Sequence, residues 1–225
     1  MAKRRKKRVF KVKNIIILLM VLIFLGGIFW YGLSMPVQNI YISGNYVVSD
    51  NEILSLSGLD EYPSFLLTTR FKIKKSILSN KYISDVIVKK KLGNVLELEI
   101  VEYGIVASNI DGKVILDDGT LIENVYNIND IPRLISHLDN KRMVEFANKF
   151  SGIEDNILRE ISEIEYSPIE VDEDRFLLYM DDGNLVYVTL TKIGKVNKYN
   201  DIKDELMGRK GIIYLDSGDY VELKG

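Results

Sequence analysis

The stretch IIILLMVLIFLGGIFWYGL, residues 15–33, contains no charged side chain. As an α-helix, a stretch of this length measures roughly 29 Å, close to the ~30 Å hydrocarbon core of a bilayer. Eight Lys and Arg residues lie within residues 3–13, whereas the first acidic residue of the chain is Asp50. By the positive-inside rule, this asymmetry predicts a cytoplasmic N-terminus and a translocated remainder. Trp30 and Tyr31 lie near the predicted outer end, where aromatic rings favour the headgroup layer.

A signal peptide, a lipoprotein anchor and a buried core helix all fit this stretch less well. A cleaved signal peptide has an apolar run of about 7–15 residues and a site such as Ala-x-Ala, and LSMP at residues 33–36 offers no such site. A lipoprotein anchor requires a cysteine, and the sequence has none. A buried core helix of this length rarely lacks every charge. The sequence therefore predicts a cytoplasmic basic tail over residues 1–14 and a retained transmembrane helix over residues 15–34.

Charge and cysteine content exclude several classes of function and of site for the part of the chain after the predicted helix. Beyond the eight cations of the tail, 22 Lys and Arg residues stand against 32 Asp and Glu residues. An acidic surface repels nucleic acid, which argues against DNA or RNA binding. The basic tail fits better as a topology signal that also attracts anionic lipid. The absence of cysteine excludes disulfides and thiolate metal sites, so the folded part depends on its hydrophobic cores alone.

The sequence pattern of residues 37–105 predicts a strand, two helices and two further strands. Alternating apolar residues over 37–45 indicate the first strand. Ser49 and Glu52 have the spacing of a capping box and Gly58 can end a helix, so the first helix is predicted between them. The second helix is predicted over residues 69–80. Its expected buried face comprises Phe71, Ile73, Ile77 and Leu78.

The last two strands of this unit form a predicted hairpin around Gly93 and Asn94. A three-residue loop, residues 92–94, matches the apolar side chains across the hairpin, whereas a two-residue loop does not. The three-residue loop places Val88 opposite Leu98 and Val86 opposite Ile100. It also places Lys89 opposite Glu97, which is a favourable cross-strand pair.

Residues 106–225 predict a mainly antiparallel β domain with flanking helices. Two hairpins carry the same Asp-Asp-Gly turn, at residues 117–119 and 181–183. Between them, Pro132 favours an extended segment, and residues 141–150 indicate a helix. The apolar residues of that helix that are available for burial are Met143, Val144, Phe146, Ala147 and Phe150.

The C-terminal part of this domain predicts a long helix and a final hairpin. Apolar residues recur at steps of three and four over residues 191–206, which is typical of one helix. Lys192, Lys195 and Lys198 form a basic stripe along it. Residues 212–215 and 219–223 indicate the closing hairpin. We expect residues 212–215 to be an exposed edge strand, because a chain-terminal strand is often an edge and no Lys or Pro protects it.

The order of these elements resembles the DivIB/FtsQ family of bacterial division proteins, which combine one anchor, a POTRA domain and a β domain. In the first unit the resemblance rests on VQNIYISGN at 37–45, ILSLSGL at 53–59, ISDVIV at 83–88 and LEIVE at 98–102. In the second it rests on VILDDG at 114–119, IPRL at 131–134, Asp182-Gly183 and IYLD at 213–216. Relatives with a long cytoplasmic tail or a C-terminal extension carry functions there that this resemblance does not transfer.

No catalytic, cofactor or metal site is predicted. His137 is the only histidine, and its neighbours Ser136 and Asp139 are no evidence for a triad, since a triad forms by convergence of separated residues. The two Asp-Asp pairs lack the ligand spacing of a calcium loop and the geometry of a glycosidase. We interpret them as turns, and His137 as a surface residue in a loop. Motifs of nucleotide-binding P-loops, serine hydrolases and zinc proteases are absent.

The resemblance therefore implies a non-enzymatic divisome scaffold without cofactors or a small-molecule substrate. It implies binding of FtsL and DivIC/FtsB-type partners outside the membrane, enrichment at the division septum and control of septal wall synthesis. In this family the terminal strand pairs with a strand of DivIC/FtsB, which implies a partner site at Tyr214, Leu215, Asp216 and Tyr220. Lys192, Lys195 and Lys198 would meet acidic residues of the partner.

Three alternatives stay open at this point. The chain could be a membrane-anchored enzyme that acts on the cell wall, or a POTRA module that serves an outer-membrane barrel. The closing hairpin could also be covered by the protein's own chain, with Tyr214 in the core.

Overall fold

The computed structural model describes residues 12–223. Helix α1, Val12–Ser34, contains 23 residues, and none of them is buried. It is the one helix among the described residues that is long and apolar enough to cross a bilayer. Because none of its side chains is buried, α1 is not the core helix of a soluble domain. Most of the predicted basic tail, residues 1–11, lies outside the described residues.

The first compact unit ends at Glu102 and the second begins at Tyr103. After α1, the first unit has the predicted β-α-α-β-β order. Its three strands form one sheet in the order β1-β3-β2, in which β1 is parallel to β3 and β2 is antiparallel to it. Its elements are β1 (Asn39–Ser43), α2 (Asp50–Ser57), α3 (Arg70–Ile77), β2 (Ile83–Lys91) and β3 (Val95–Glu102).

The predicted hairpin register is confirmed. Val88 lies opposite Leu98, Val86 opposite Ile100, and Lys89 opposite Glu97. Two residues of the turn have positive φ, Gly93 at +82° and Asn94 at +58°, and glycine and asparagine tolerate this conformation. The ion pairs on the exposed face are diagonal rather than directly opposite. Lys89 bonds to Glu99 at 3.1 Å, and Lys91 bonds to Glu97.

Capping residues fix the ends of the two helices. Ser49 Oγ accepts a hydrogen bond from the Glu52 backbone N–H at 3.3 Å, and Gly58 ends α2 in the left-handed region, as predicted. Thr69 Oγ1 accepts from the Lys72 N–H at 3.2 Å and begins α3. These caps satisfy N–H groups that have no partner within the helix.

The predicted buried face of α3 is wrong at Phe71 and at Leu78. Ile73 and Ile77 are buried, but Phe71 is 76% exposed and Leu78 is 37% exposed. Ile73 and Ile77 are four residues apart and share one face of the helix. Phe71 lies two residues before Ile73, and side chains at that spacing do not face the same side. The ring therefore points to solvent.

The second unit forms one nine-stranded sheet in the order β12-β11-β10-β9-β8-β7-β4-β5-β6. Five strand pairs are antiparallel, and three pairs, β4–β7, β7–β8 and β10–β11, are parallel. The mainly antiparallel β domain with flanking helices is thus confirmed. Its elements are β4 (Ile105–Ser108), β5 (Val114–Leu116), β6 (Leu121–Ile122), β7 (Arg133–Leu134), α4 (Asn140–Phe150), α5 (Asp155–Leu158), β8 (Ile161–Tyr166), β9 (Arg175–Met180), β10 (Leu185–Thr189), a 3₁₀ helix (Leu190–Lys198), α6 (Tyr199–Glu205), β11 (Gly211–Tyr214) and β12 (Tyr220–Leu223).

A cluster of aromatic rings forms the centre of this core. Phe146 and Phe150 of α4 pack with ring centroids 4.3 Å apart, and both contact Phe176 of β9 at 5.5 and 5.7 Å. Met143 and Ala147 are buried beside them. Val144 was expected to be available for burial, but it is exposed, because it lies outside the stripe that positions 143, 146, 147 and 150 form on the helix.

The single helix predicted over residues 191–206 is wrong in its first half. Residues Leu190–Lys198 form a 3₁₀ helix, and only Tyr199–Glu205 is α-helical. The four buried residues Leu190, Ile193, Val196 and Tyr199 recur every three positions. A 3₁₀ helix has three residues per turn and aligns such positions on one line, whereas an α-helix would rotate them away from the core.

Candidate functional site

The acidic residues singled out in the sequence have structural roles. Asp118 Oδ1 accepts from the Thr120 N–H at 2.7 Å, and Asp182 Oδ1 accepts from the Asn184 N–H at 3.0 Å. The two Asp-Asp-Gly hairpins therefore use the same turn chemistry, as predicted. His137 is exposed in a loop. Within residues 12–223, no group of three or more His, Asp and Glu side chains could hold a metal ion.

Ser136 and Asp139, the neighbours of His137, are also engaged by the backbone. Ser136 Oγ accepts from the Tyr166 N–H at 2.9 Å. Asp139 caps α4 by accepting from the Arg142 N–H at 2.9 Å. These contacts hold a loop and begin a helix, and they do not direct either side chain towards the imidazole.

The strand at the edge of the sheet is β12, not residues 212–215. β11 pairs in parallel with β10 on one side and antiparallel with β12 on the other. The expectation that residues 212–215 form the edge is therefore wrong. The 3₁₀ helix and α6 make the crossover that a parallel β10–β11 pair requires. That crossover places β11 inside the sheet and leaves Tyr220–Leu223 outermost among the described strands.

Backbone alternation shows which groups of β12 point away from the sheet. The Leu215 N–H donates to the Tyr187 carbonyl on β10 at 2.8 Å. Successive residues of a strand direct their backbone N–H and C=O groups to opposite sides. The groups of Leu215 face β10, so those of Tyr214 and Ile212 face β12. Tyr220 and Glu222, which lie opposite Tyr214 and Ile212, direct their own N–H and C=O groups to β11. The N–H and C=O groups of Val221 and Leu223 therefore point to the open side.

The four hairpin residues expected at the partner site have different environments. Tyr220 is 51% exposed and Tyr214 is half-buried. Leu215 is buried in the core. Asp216 pairs with Arg175 of β9, with Nε and Oδ2 2.7 Å apart, and both side chains are largely buried. Of the four, only Tyr220 presents most of its side chain to solvent.

The expected basic stripe is partly used within the protein. Lys192 Nζ donates to the Asp216 carbonyl, and Lys195 pairs with Asp219 at 2.6 Å. Lys198 is exposed. Two of the three lysines therefore hold the turn between β11 and β12, which fixes the position of the edge strand.

Three tyrosine rings stack across the last three strands. Tyr187 and Tyr214 have ring centroids 5.4 Å apart, and Tyr214 and Tyr220 have centroids 4.5 Å apart with planes only 14° from parallel. The Arg175 guanidinium lies 3.6 Å from the centre of the Tyr187 ring. Burial, followed by the charge of Glu222, raises the pKa of Tyr214.

Arg175 and Tyr187 were missed by the sequence analysis. Tyr187 alternates with buried Val186 and Val188, which could have placed its ring on the opposite face of β10. Its neighbours on that face come from strands far apart in the chain, so the sequence alone does not pair them. Asn184 was also missed. Its Oδ1 accepts from the Gly211 N–H at 2.9 Å and fixes the start of β11, while its Nδ2 donates to the Tyr199 hydroxyl at 2.9 Å.

We expect the Arg175–Asp216 pair to stabilise the folded β domain at neutral pH and to lose this effect at acid pH. Burial favours a higher pKa for Asp216, but hydrogen bonds from Arg175 and Ser217 outweigh it and lower the pKa below its usual range. A carboxyl with a lowered pKa stabilises the fold above its unfolded-state pKa, and this stabilisation is lost as the pH falls through the folded-state pKa. Asp216→Asn should therefore lower the free energy of unfolding at pH 7 by about 3 kcal/mol.

Urea unfolding at pH 7 and pH 3 tests this expectation. Wild type should lose stability below about pH 4, and Asp216→Asn should lose less over the same interval. Asp219→Asn is the matched control, because the Lys195–Asp219 pair is solvent-exposed and should contribute less than about 1 kcal/mol. Equal effects of the two substitutions would contradict a special role of the buried pair.

Comparison with known proteins places these elements in a family. Residues 35–103 match the family model described as "POTRA domain, FtsQ-type". The chain is 30% identical over 193 residues to the cell division protein DivIB of Bacillus subtilis, covering 83% of this chain and 73% of that protein. It is 28% identical over 236 residues to the cell division protein DivIB of Bacillus anthracis, covering 99% of this chain and 88% of that one.

Among solved structures, the chain matches the major extracytoplasmic domain of the trans isomer of DivIB from Geobacillus stearothermophilus. The match has 25% identity and a TM-score of 0.41, and it covers 47% of this chain and 95% of that chain.

The structure and the curated relatives agree on the general role of the chain. An apolar helix near the N-terminus makes it a single-pass membrane protein, and its relatives are cell division proteins. Their names and the POTRA domain point to a non-catalytic part in division. The chain therefore belongs to the DivIB/FtsQ family of bacterial cell division proteins.

Proposed function

We propose that the chain is a divisome scaffold that binds partners of the FtsL and DivIC/FtsB type through the open edge of β12. The observation that carries this proposal is the outward direction of the Val221 and Leu223 backbone groups beside the exposed Tyr220 ring. A partner strand added there would gain main-chain hydrogen bonds along the edge. Tyr220 would contact a side chain of that strand.

The role of the other expected site residues follows from their contacts. Asp216 and Leu215 would position the hairpin rather than touch the partner, since both are held inside the protein. Tyr214 would support the Tyr220 ring by stacking beneath it. Lys192 and Lys195 would fix the β11–β12 turn, and the exposed Lys198 would be available to an acidic partner residue.

Through these partners the chain would help control septal peptidoglycan synthesis without catalysing it. We propose that its N-terminus is cytoplasmic, that residues 37–225 are extracytoplasmic and that the protein is enriched at the septum. The cations that precede residue 15 support this orientation. Protease added to intact spheroplasts should remove the part after α1, and protection of that part would reverse the orientation.

Depletion of the protein in a bacterium that carries it tests the function directly. We expect the cells to grow into filaments, because septal synthesis would lack its scaffold. A wild-type copy should restore division, and a copy altered at the β12 edge should restore it poorly despite equal abundance in the membrane. Division at normal cell length after depletion would contradict the proposed role.

A further inference from the structure

The membrane helix and the first folded unit are joined without a spacer. Helix α1 ends at Ser34, and Val37 is already 1% exposed in the core of the first unit. Only Met35 and Pro36 lie between them. Since a fully extended residue spans at most about 3.6 Å, the folded unit begins within about 11 Å of the helix end. It must therefore lie at the bilayer surface.

One loop of the unit bonds directly to the end of α1. Ser64 Oγ donates a hydrogen bond to the Leu33 carbonyl. The Phe65 N–H donates to the Met35 carbonyl at 2.9 Å, and the Val37 N–H donates to the Pro63 carbonyl at 2.9 Å. These bonds hold the loop over residues 62–68 beside the helix end.

The β2–β3 turn lies at the same end of the unit. The Gln38 N–H donates to the Asn94 carbonyl at 3.0 Å, and Asn94 Nδ2 donates to the Pro36 carbonyl at 3.1 Å. β3 runs away from this end for eight residues, or roughly 25 Å. Tyr46 lies at the far end, where its N–H bonds to Glu102, the last residue of β3.

Large apolar side chains are exposed at the end that faces the helix. Leu92 is 99% exposed in the β2–β3 turn, and Leu66 and Leu67 are 57% and 64% exposed in the loop. Phe71 follows in the first turn of α3 and is likewise exposed. We name these four residues the membrane-proximal patch. Arg70 directly precedes Phe71 and is exposed, which suits contact with anionic headgroups.

We propose that the membrane-proximal patch inserts into the headgroup layer and holds the POTRA domain against the bilayer. The headgroup layer is roughly 5–7 Å thick on each side of the hydrocarbon core. Loops that hydrogen-bond to Leu33 and Met35 at the helix end lie within that depth. Leucine and phenylalanine side chains there bury apolar surface at the boundary of the acyl chains. Lipid is the occupant because α1 brings the bilayer to these residues.

Site-directed labelling of the full chain tests the proposal, and the natural absence of cysteine makes each label unique. The purified protein is reconstituted into vesicles of phosphatidylglycerol and phosphatidylethanolamine. A fluorophore is attached to Leu67→Cys, to Leu92→Cys or to the matched control Tyr46→Cys, which replaces an exposed side chain at the far end. Ser34→Cys, at the helix end, provides the reference for headgroup depth.

Lipids that carry a nitroxide near the headgroup then quench the label according to its distance. We expect labels at 67 and 92 to lose as much emission as the label at 34, and the label at 46 to lose none. Labels at 67 and 92 that behave like the one at 46 would overturn the proposal. Labels that are shielded from a water-soluble quencher but not quenched by lipid would also overturn it, because a protein contact would then cover the patch.

Discussion

Replacement of Val221 by proline is expected to weaken partner binding strongly while the β domain stays folded. The Val221 N–H points to the open side of the sheet, so proline removes no bond between β12 and β11. A partner carbonyl that should accept this N–H would be left without a donor, which costs about 1–3 kcal/mol. The proline ring also occupies the place of the partner strand. We expect binding to weaken by at least about 30-fold, or about 2 kcal/mol.

Binding of the chain to the soluble part of a DivIC/FtsB-type partner, with circular dichroism of each variant, measures this effect. Val221→Ala is the matched control, because it shortens the same half-buried side chain and retains the N–H. It should bind nearly as well as wild type. Proline at position 213 would be a poor test, since β11 is paired on both sides and the sheet itself would be broken. Full binding by Val221→Pro would place the site elsewhere.

Replacement of Gly44 by alanine is expected to unfold the first unit locally. Gly44 has a φ of +83°, and a Cβ there would lie 2.2 Å from the Ile100 carbonyl oxygen of β3. Left-handed backbone costs a residue other than glycine about 1–3 kcal/mol, and the clash with a rigid strand adds to it. We expect a loss of about 3 kcal/mol, so that amides of β3 exchange about 100-fold faster.

Gly58→Ala is the control for this prediction. Gly58 also has a positive φ, +66°, but no atom lies within 4 Å of the position of its Cβ. It should therefore show the conformational cost alone, about 1 kcal/mol. Hydrogen exchange of peptides from β3 in the full chain compares the two variants. Equal exchange rates in both would mean that the close approach of Gly44 to Ile100 is unimportant for stability.

The first unit could be predicted well because its signals are local. The register of β2 and β3 followed from matching apolar positions across a turn of three residues, and neighbouring segments supply both strands. The caps at Ser49 and Gly58 also depend on residues within one turn of the helix. Phe71 was placed wrongly because it lies in the first turn of α3, off the face that Ile73 and Ile77 define.

The candidate site could be predicted only in part, because its geometry depends on distant strands. The sequence indicated the closing hairpin and Tyr220, but not which of its two strands is outermost. That depends on the parallel pairing of β11 with β10 across the 3₁₀ helix and α6. Arg175 lies 41 positions before Asp216 and meets it only after the sheet has formed. Asn184 reaches Gly211 across the same crossover.

Residue-resolved hydrogen exchange of β12, with and without the DivIC/FtsB-type partner, tests the central claim most directly. In the free protein, the Val221 and Leu223 amides should exchange quickly because they point outwards, and the Tyr220 and Glu222 amides should be protected by β11. Saturation with the partner should slow exchange at Val221 and Leu223. Saturated binding that leaves these two amides unchanged, while amides elsewhere gain protection, would contradict docking at the β12 edge.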